Sequence, residues 1–284
     1  MKTLVILLLL LAAACLLIWK GRTGHPLRPQ LDGWLYAHRG YHCGPAAPEN
    51  SRAAFRRAVE RGFGAEFDVH LLADGGLAVL HDCSLERMTG AQGDVEDLTT
   101  AQLADYTLGQ SSETIPTLQQ ALDIFAGRVP LIIELKTRGN NGAALCKAVC
   151  PVLDRYGGPY CIESFDPRVV LWLKRHRPDI LRGQLSCDFL RQRSGLPLGQ
   201  AFGITYLLTN LFTRPDFVAY QFRDRRNLAF RACRQLWGVA GAGWTLQSKA
   251  ELDAARAEGL WPIFEGFDPE TGAPLEAEQQ APAV

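Results

Sequence analysis

Pro130-Leu131-Ile132-Ile133-Glu134-Leu135-Lys136 is apolar on both of its faces until the last residues. A strand with one wet face alternates apolar and polar side chains, whereas a parallel strand covered on both sides does not. The run therefore predicts a buried parallel strand with a polar C-terminal end.

The same pattern repeats on either side of it. Residues 34–38, 65–71, 160–164, 181–185, 216–220, 239–245 and 261–265 read as further strands. Helices are expected at 50–61, capped by Asn50 or Ser51, and at 117–125, starting after Pro116. Others are expected at 143–155, from Asp166-Pro167 to 176, at 227–236, and at 248–258, where Ser248 and Glu251 stand at capping-box spacing. Asp74-Gly75-Gly76 turns the chain into an added strand at 77–80. Residues 84–115 read as irregular and polar, and 186–215 as irregular with uncertain boundaries. Eight strands alternating with helices predict an α/β fold closed as a (β/α)8 (TIM) barrel, which takes ~250 residues.

The termini read differently. Residues 3–19 are apolar and uncharged, flanked by Lys2, Lys20 and Arg22. That is the short end of what spans a bilayer, about 17–25 residues. No small-residue cleavage site follows, so the expectation is one uncleaved N-terminal transmembrane helix within residues 1–22, ahead of a catalytic domain at 33–268. Flanking charge and the seven cysteines beyond Cys15, an odd number, lean towards a cytoplasmic domain on a single-pass membrane protein. Residues 269–284, rich in Pro, Ala, Glu and Gln, read as a disordered tail. The net charge of +0 offers nucleic acid no sequence-independent attraction.

The polar residues that stand out fall at strand C-terminal ends, which share one mouth of such a barrel. Glu66 and Asp68 are two apart on one strand and so point to one face. Glu134 ends the neighbouring strand. Three carboxylates gathered there would repel and desolvate badly without a cation, and an all-oxygen set suits Mg²⁺ or Ca²⁺. The alternative is a salt-bridge cluster with Arg39 and Lys136. His38 and His81 end adjacent segments and could supply a general acid and a general base. His70 points the same way as Asp68 and could line the pocket. Arg39 and Lys136 bring positive charge suited to a phosphate. Acids for a cation, bases for an anion and two imidazoles suggest phosphoryl chemistry; no Walker-type glycine loop is present.

At these residues the chain resembles the glycerophosphodiester phosphodiesterase family. The matching segments are His38-Arg39-Gly40, Pro48-Glu49-Asn50-Ser51, Glu66-Phe67-Asp68-Val69, His81-Asp82, Ile115-Pro116-Thr117-Leu118, Glu134-Leu135-Lys136, Ser164-Phe165-Asp166-Pro167 and Trp244-Thr245, in the family's order. The resemblance implies a TIM barrel and metal-dependent hydrolysis of glycerophosphodiesters to an alcohol and sn-glycerol 3-phosphate. It implies Glu66, Asp68 and Glu134 as ligands of Mg²⁺ or Ca²⁺, and His38 and His81 as the acid/base pair, with His81 taken as the acid. Arg39 and Lys136 would bind the phosphate. Trp244 would line the pocket, a packed indole being the alternative. Glu265 stands where many members carry Asp or Asn after Thr, and is expected to touch substrate differently. The short 84–115 passage leaves an open mouth, which together with the anchor keeps a second substrate class in view, lysophospholipids or other membrane phosphodiesters. A catalytically dead binding barrel is the third reading.

Overall fold

Eight parallel strands close on themselves. They are β1 (Tyr36–His38), β2 (Gly64–Leu71), β4 (Leu131–Leu135), β5 (Tyr160–Ser164), β6 (Arg182–Ser186), β7 (Phe217–Gln221), β8 (Ala240–Leu246) and β9 (Trp261–Phe264). β1 pairs with both β2 and β9, which completes the ring. β3 (Leu77–Val79) lies antiparallel on the edge of β2. The computed structural model describes residues 16–192 and 195–275. Every expected strand is present, with its ends within two residues of those read from sequence.

Helices α1 (Arg52–Glu60), α2 (Leu118–Phe125), α3 (Gly142–Leu153), α4 (Pro167–His176), α5 (Leu198–Thr205), α6 (Leu228–Trp237) and α7 (Lys249–Ala257) cover the ring. Their starts follow local chemistry. Ser51 caps α1 through the Ala54 N–H, and Thr117 and Gln120 form a reciprocal capping box on α2. Asp166 caps α4 ahead of Pro167. After β9 the described chain forms no further helix and turns through residues 268–275 instead.

Odd positions of β2 and β4, such as Phe67, Val69 and Ile133, pack outward against Phe55, Leu122, Phe125 and Val149 of α1, α2 and α3. Even positions point into the ring. There Ile132, Cys161, Leu185, Phe217, Ala242 and Ile263 fill the lower interior. The polar residues of β2, β4 and β5 sit above this plug.

Two passages depart from the expected pattern. Residues 84–115 are not merely a polar excursion: Leu85, Val95, Leu98, Leu103, Leu108 and Ile115 are buried in a small core of their own with Leu72 and Leu80. Residues 186–215 contain α5 and two one-turn helices, Phe189–Gln192 and Asn210–Thr213. α5 carries Gly199 and Gly203 and lacks a side-chain cap, so no local start signal marks it.

The predicted transmembrane helix lies mostly outside the described residues. Among those described, no helix is long and apolar enough to cross a membrane. Residues 16–22, assigned from sequence to the anchor, instead lie on the barrel. The Trp19 indole donates to the Tyr206 carbonyl at 2.8 Å, Trp237 donates to the Leu16 carbonyl at 2.9 Å, and Arg22 pairs with Asp216. Leu31 is fully buried, so the folded unit begins before residue 33. At the other end, residues 269–275 are not loose: Asp268 accepts from the Glu270 and Thr271 N–H groups, and Leu275 bonds back to Gly266. Residues 276–284 of the predicted tail lie outside the described residues. Cys146 and Cys150 are buried free thiols on α3, as their helical spacing suggests.

Candidate functional site

Strand register assembles the site. His38 of β1 stands level with Glu66 of β2, Asp68 of β2 with Glu134 of β4, and Glu134 with Glu163 of β5. One oxygen from each of Glu66, Asp68 and Glu134 lies within 4.8 Å of the others. All three residues are buried.

That concentration of charge is visible in their proton affinities. Burial pushes the Glu66 carboxyl well above the ordinary range, and the charge on Asp68 adds to it. Burial also raises Glu134, to about 7, against the pull of Lys136. Asp68 goes the other way: Lys136, His81 and Arg39 outweigh its burial and hold it well below the usual carboxylate range. The Lys136 ammonium lies 3.0 Å from Asp68 Oδ1 and 2.9 Å from Glu134 Oε2, and these partners hold it protonated despite burial. The Asn50 amide donates to Asp68 Oδ2 at 2.8 Å, and the Arg39 N–H donates to Glu66 Oε2 at 3.2 Å. Arg39 and Asn50 both adopt left-handed backbone, φ 55° and 56°. With only oxygen donors converging, the cluster fits a hard divalent cation.

The imidazoles flank it. His38 Nδ1 meets Glu265 Oε2 at 2.5 Å, leaving Nε2 3.8 Å from Glu66 Oε2. His81 Nδ1 meets Asp82 Oδ1 at 2.6 Å. An ionised carboxylate only accepts, so each Nδ1 carries a proton; Nε2 then holds a lone pair in the neutral ring and a second proton in the imidazolium. Burial lowers both imidazoles below their usual 6.5, with Glu265 opposing this at His38 and Asp68 at His81. Arg87, from a one-turn helix at Glu86–Thr89, ties the surroundings together. It binds Asp82 on one side and Glu49 on the other, and Glu49 also accepts from Arg39 at 2.8 Å.

These groups line a cavity of about 370 Å³ at the C-terminal mouth, with His38, Arg39, His81, Glu134, Lys136 and Trp244 in its wall. The Trp244 ring stands edge-on to Phe165, centroids 5.6 Å apart, and its Nε1 has no hydrogen-bond partner among the described residues. Thus all eight residues singled out from sequence are brought together. His70 is not in this wall. It is buried behind it, bonded to Glu96 at 3.0 Å and near the His81 carbonyl at 3.3 Å. Glu265 grips an imidazole within the cavity wall.

Glu163 went unnoticed in the sequence. It is 1% exposed, lines the cavity, and leaves Oε2 without a partner among the described residues. Burial, with Glu134 adjacent, pushes its carboxyl well above the ordinary range. Its position one residue before the end of the 160–164 strand reading was the available signal. Arg87 offered none, since it reaches the site from the inserted passage.

A closed parallel barrel with an acidic cluster between two carboxylate-paired imidazoles defines the class. The sequence profile of the glycerophosphoryl diester phosphodiesterase family matches residues 38–254, and the chain belongs to that family. A glycerophosphodiester phosphodiesterase of Caldanaerobacter subterraneus is 38% identical over 111 residues, covering 36% of this chain and 45% of that one. Glycerophosphodiester phosphodiesterase 1 of Rattus norvegicus is 28% identical over 159 residues, covering 52% and 47%. These matches span about half the length of the curated relatives. Among solved structures, an Oleispira antarctica phosphodiesterase in complex with the product sn-glycerol-3-phosphate superposes with TM-score 0.67 at 22% identity, covering 86% of this chain and 95% of that one. A glycerophosphodiester phosphodiesterase from Parabacteroides distasonis gives 0.64 at 23%, covering 87% and 93%. At these identities the likeness is one of fold.

Proposed function

We propose that this domain hydrolyses glycerophosphodiesters to an alcohol and sn-glycerol 3-phosphate with the help of Mg²⁺ or Ca²⁺. The observation that carries the reading is the convergence of Glu66, Asp68 and Glu134 within 4.8 Å, beside two imidazoles whose Nδ1 atoms are each held by a carboxylate. Family membership supports the same chemistry.

Glu66, Asp68 and Glu134 would hold the cation, which would supply Lewis-acid polarisation of the phosphoryl oxygens. Arg39 and Lys136 set positive charge in the same wall, where a phosphodiester anion binds. His38 Nε2, deprotonated because Glu265 occupies Nδ1, accepts the proton of the attacking hydroxyl. His81, its Nδ1 held by Asp82, acts from its imidazolium form, in which Nε2 also carries a proton and gives it to the departing alkoxide. The attacking group is water or the substrate's own glycerol hydroxyl. Trp244 and Phe165 exclude water along one side.

The apolar sequence of residues 3–15, ahead of the stretch that lies on the barrel, also supports membrane association of the chain. Its charge flanks lean towards a cytoplasmic domain, although Arg22 is committed to Asp216.

The test is release of sn-glycerol 3-phosphate from glycerophosphocholine by the full chain. Activity should vanish with EDTA, return with Mg²⁺ or Ca²⁺, and be lost in Glu66→Ala. Activity that persists in EDTA, or in that variant, would overturn the metal role.

A further inference from the structure

The inserted passage 84–115 reaches the site from behind as well as through Arg87. Glu96 sits on a short turn, Val95–Asp97, and its two oxygens serve two partners. Oε1 lies 3.0 Å from His70 Nδ1, and Oε2 accepts from the Asn141 amide at 2.9 Å. His70 follows Asp68 by two residues on β2, and Asn141 stands at the start of α3, in the loop that follows Glu134 and Lys136. One carboxylate therefore joins the two strands that carry the acid cluster. The other ring nitrogen of His70, Nε2, lies 3.3 Å from the His81 carbonyl. No other hydrogen bond reaches that carbonyl among the described residues. The chain beyond it is held from the same side. The Val95 N–H donates to the Cys83 carbonyl at 2.8 Å, and Val95 is fully buried in the small inserted core.

The two imidazoles of the site differ in what places their backbone. His38 ends β1, level with Glu66, so the strand ladder sets its position. His81 lies two residues beyond the end of β3, where no ladder continues. Asp82 holds its ring at 2.6 Å, but a held ring on a loose backbone is not a fixed one. Adhesion of the inserted passage does not explain the polar pair, since replacing a buried ion pair by apolar groups is often neutral or stabilising. A hydrogen-bonded chain adds direction, because donor and acceptor meet only within a narrow range of distance and angle. The His70 and Glu96 side chains are 4% and 7% exposed, so water offers neither a ready substitute for its partner.

We propose that Glu96 and His70 are positioning residues for His81, fixing from behind the backbone that carries the acid so that its Nε2 meets the departing oxygen. The assignment rests on the hydrolase reading above and deepens it. In the reaction the bond from phosphorus to the head-group oxygen breaks, and that oxygen takes the Nε2 proton of the His81 imidazolium. The attacking oxygen joins phosphorus and gives its own proton to His38. A leaving group that is stable as an anion, such as p-nitrophenolate, does not need the proton from His81.

The experiment compares two substrates of the full chain, glycerophosphocholine and the p-nitrophenyl ester of sn-glycerol 3-phosphate. Misplacing a reacting group by about 1 Å costs on the order of 10²-fold, so His70→Leu and Glu96→Ala should each cut kcat on glycerophosphocholine about 10–100-fold. KM should stay within about twofold, because substrate contacts are untouched. The loss on the nitrophenyl ester should be at least about tenfold smaller, general acid catalysis being what that substrate forgoes. Its continued turnover also reports an intact fold and cation site. His70→Gln, whose amide N–H can still reach the His81 carbonyl, should recover most of the loss. Equal losses on both substrates, or no loss on either, would overturn the positioning role. Turnover of neither substrate by the unmodified protein would sink the hydrolase reading instead. In that case proton–nitrogen NMR of the His81 Nδ1–H decides the positioning. A signal lost or shifted in His70→Leu while that of His38 stays put supports it; an unchanged His81 signal, or equal movement of both, refutes it.

Discussion

Glu265 Oε2 lies 2.5 Å from His38 Nδ1, joining the end of β9 to the end of β1 across the closing seam of the barrel. The contact sets the imidazole tautomer, because an ionised carboxylate can only accept. Hydrogen bonds from His38 and His42 outweigh burial and keep Glu265 ionised, well below the usual range. Glu265→Gln keeps the shape and removes the charge. We expect kcat to fall on the order of 10²–10⁴-fold, as when an orienting carboxylate is lost beside a catalytic imidazole, with KM little changed. The pH profile moves too. Burial already lowers His38 below 6.5, and Glu265 opposes that. Without the charge the imidazole falls further, so the acid limb of the rate profile should shift to lower pH. An unchanged acid limb would show that His38 does not act as the base.

The carboxyl cluster ties cation binding to pH. An unfolded chain ionises Glu134 near its ordinary 4.5, whereas the folded cation-free protein holds that proton up to about 7. The folded state then binds more protons between those values. The stability this provides is full below 4.5 and drains away as pH rises to about 7. Glu66 and Glu163 are raised in the same direction. A cation binds the ionised cluster, so it should rescue what alkaline pH costs. The rise in Tm on adding Mg²⁺ or Ca²⁺ should be several degrees larger at about pH 8 than at about pH 5, with roughly 2–4 °C for each kcal/mol. Glu134→Gln should flatten the difference. Equal shifts at both pH values would mean that the cation binds elsewhere.

Asn50 couples backbone strain to the same cluster. It is fully buried, adopts φ 56°, and gives its amide proton to Asp68 Oδ2 at 2.8 Å. Asn tolerates the left-handed region, and glycine does so freely. Asn50→Gly therefore keeps the turn and deletes the bond, and cation affinity should weaken. Asn50→Ala deletes the bond and adds about 1–2 kcal/mol of backbone cost, so its Tm should fall below that of the glycine variant. Calorimetric titration with the cation and thermal melts of both variants separate the two effects. Equal melting temperatures would remove the backbone part of the argument.

How far the sequence could carry this differs residue by residue. Glu66 and Asp68 were legible because a two-residue step on a strand fixes a shared face, and Glu134 because its apolar run ends there. Glu163 depends on register between β4 and β5, which nothing in residues 160–164 states. Arg87 reaches Asp82 and Glu49 from a passage whose buried leucines follow neither helical nor strand period, so its small core was invisible. α5 starts without a cap and holds two glycines, which left 186–215 unread. Propensity and period report local structure; the inserted core and the acid row are products of tertiary packing.

Beneath the site, Gly183 of β6 faces Phe217 of β7 so closely that an added Cβ would lie 2.2 Å from the ring. Phe217 is fully buried in the plug below the mouth and touches Trp261 at a centroid distance of 5.0 Å, so it has little room to retreat. Gly183 is also level with Glu163, one strand from the acids. Gly183→Ala should therefore overpack the barrel interior, costing about 1–3 kcal/mol or more. Shortening the opposing ring in Gly183→Ala/Phe217→Leu should recover part of the loss, because the two changes share one volume and are not additive. Denaturant melts of the two single variants and the double variant measure that coupling. If the double variant were destabilised by the sum of the single effects, the strands would have to move apart rather than the ring, and the plug would not be the rigid floor on which the acid row is set.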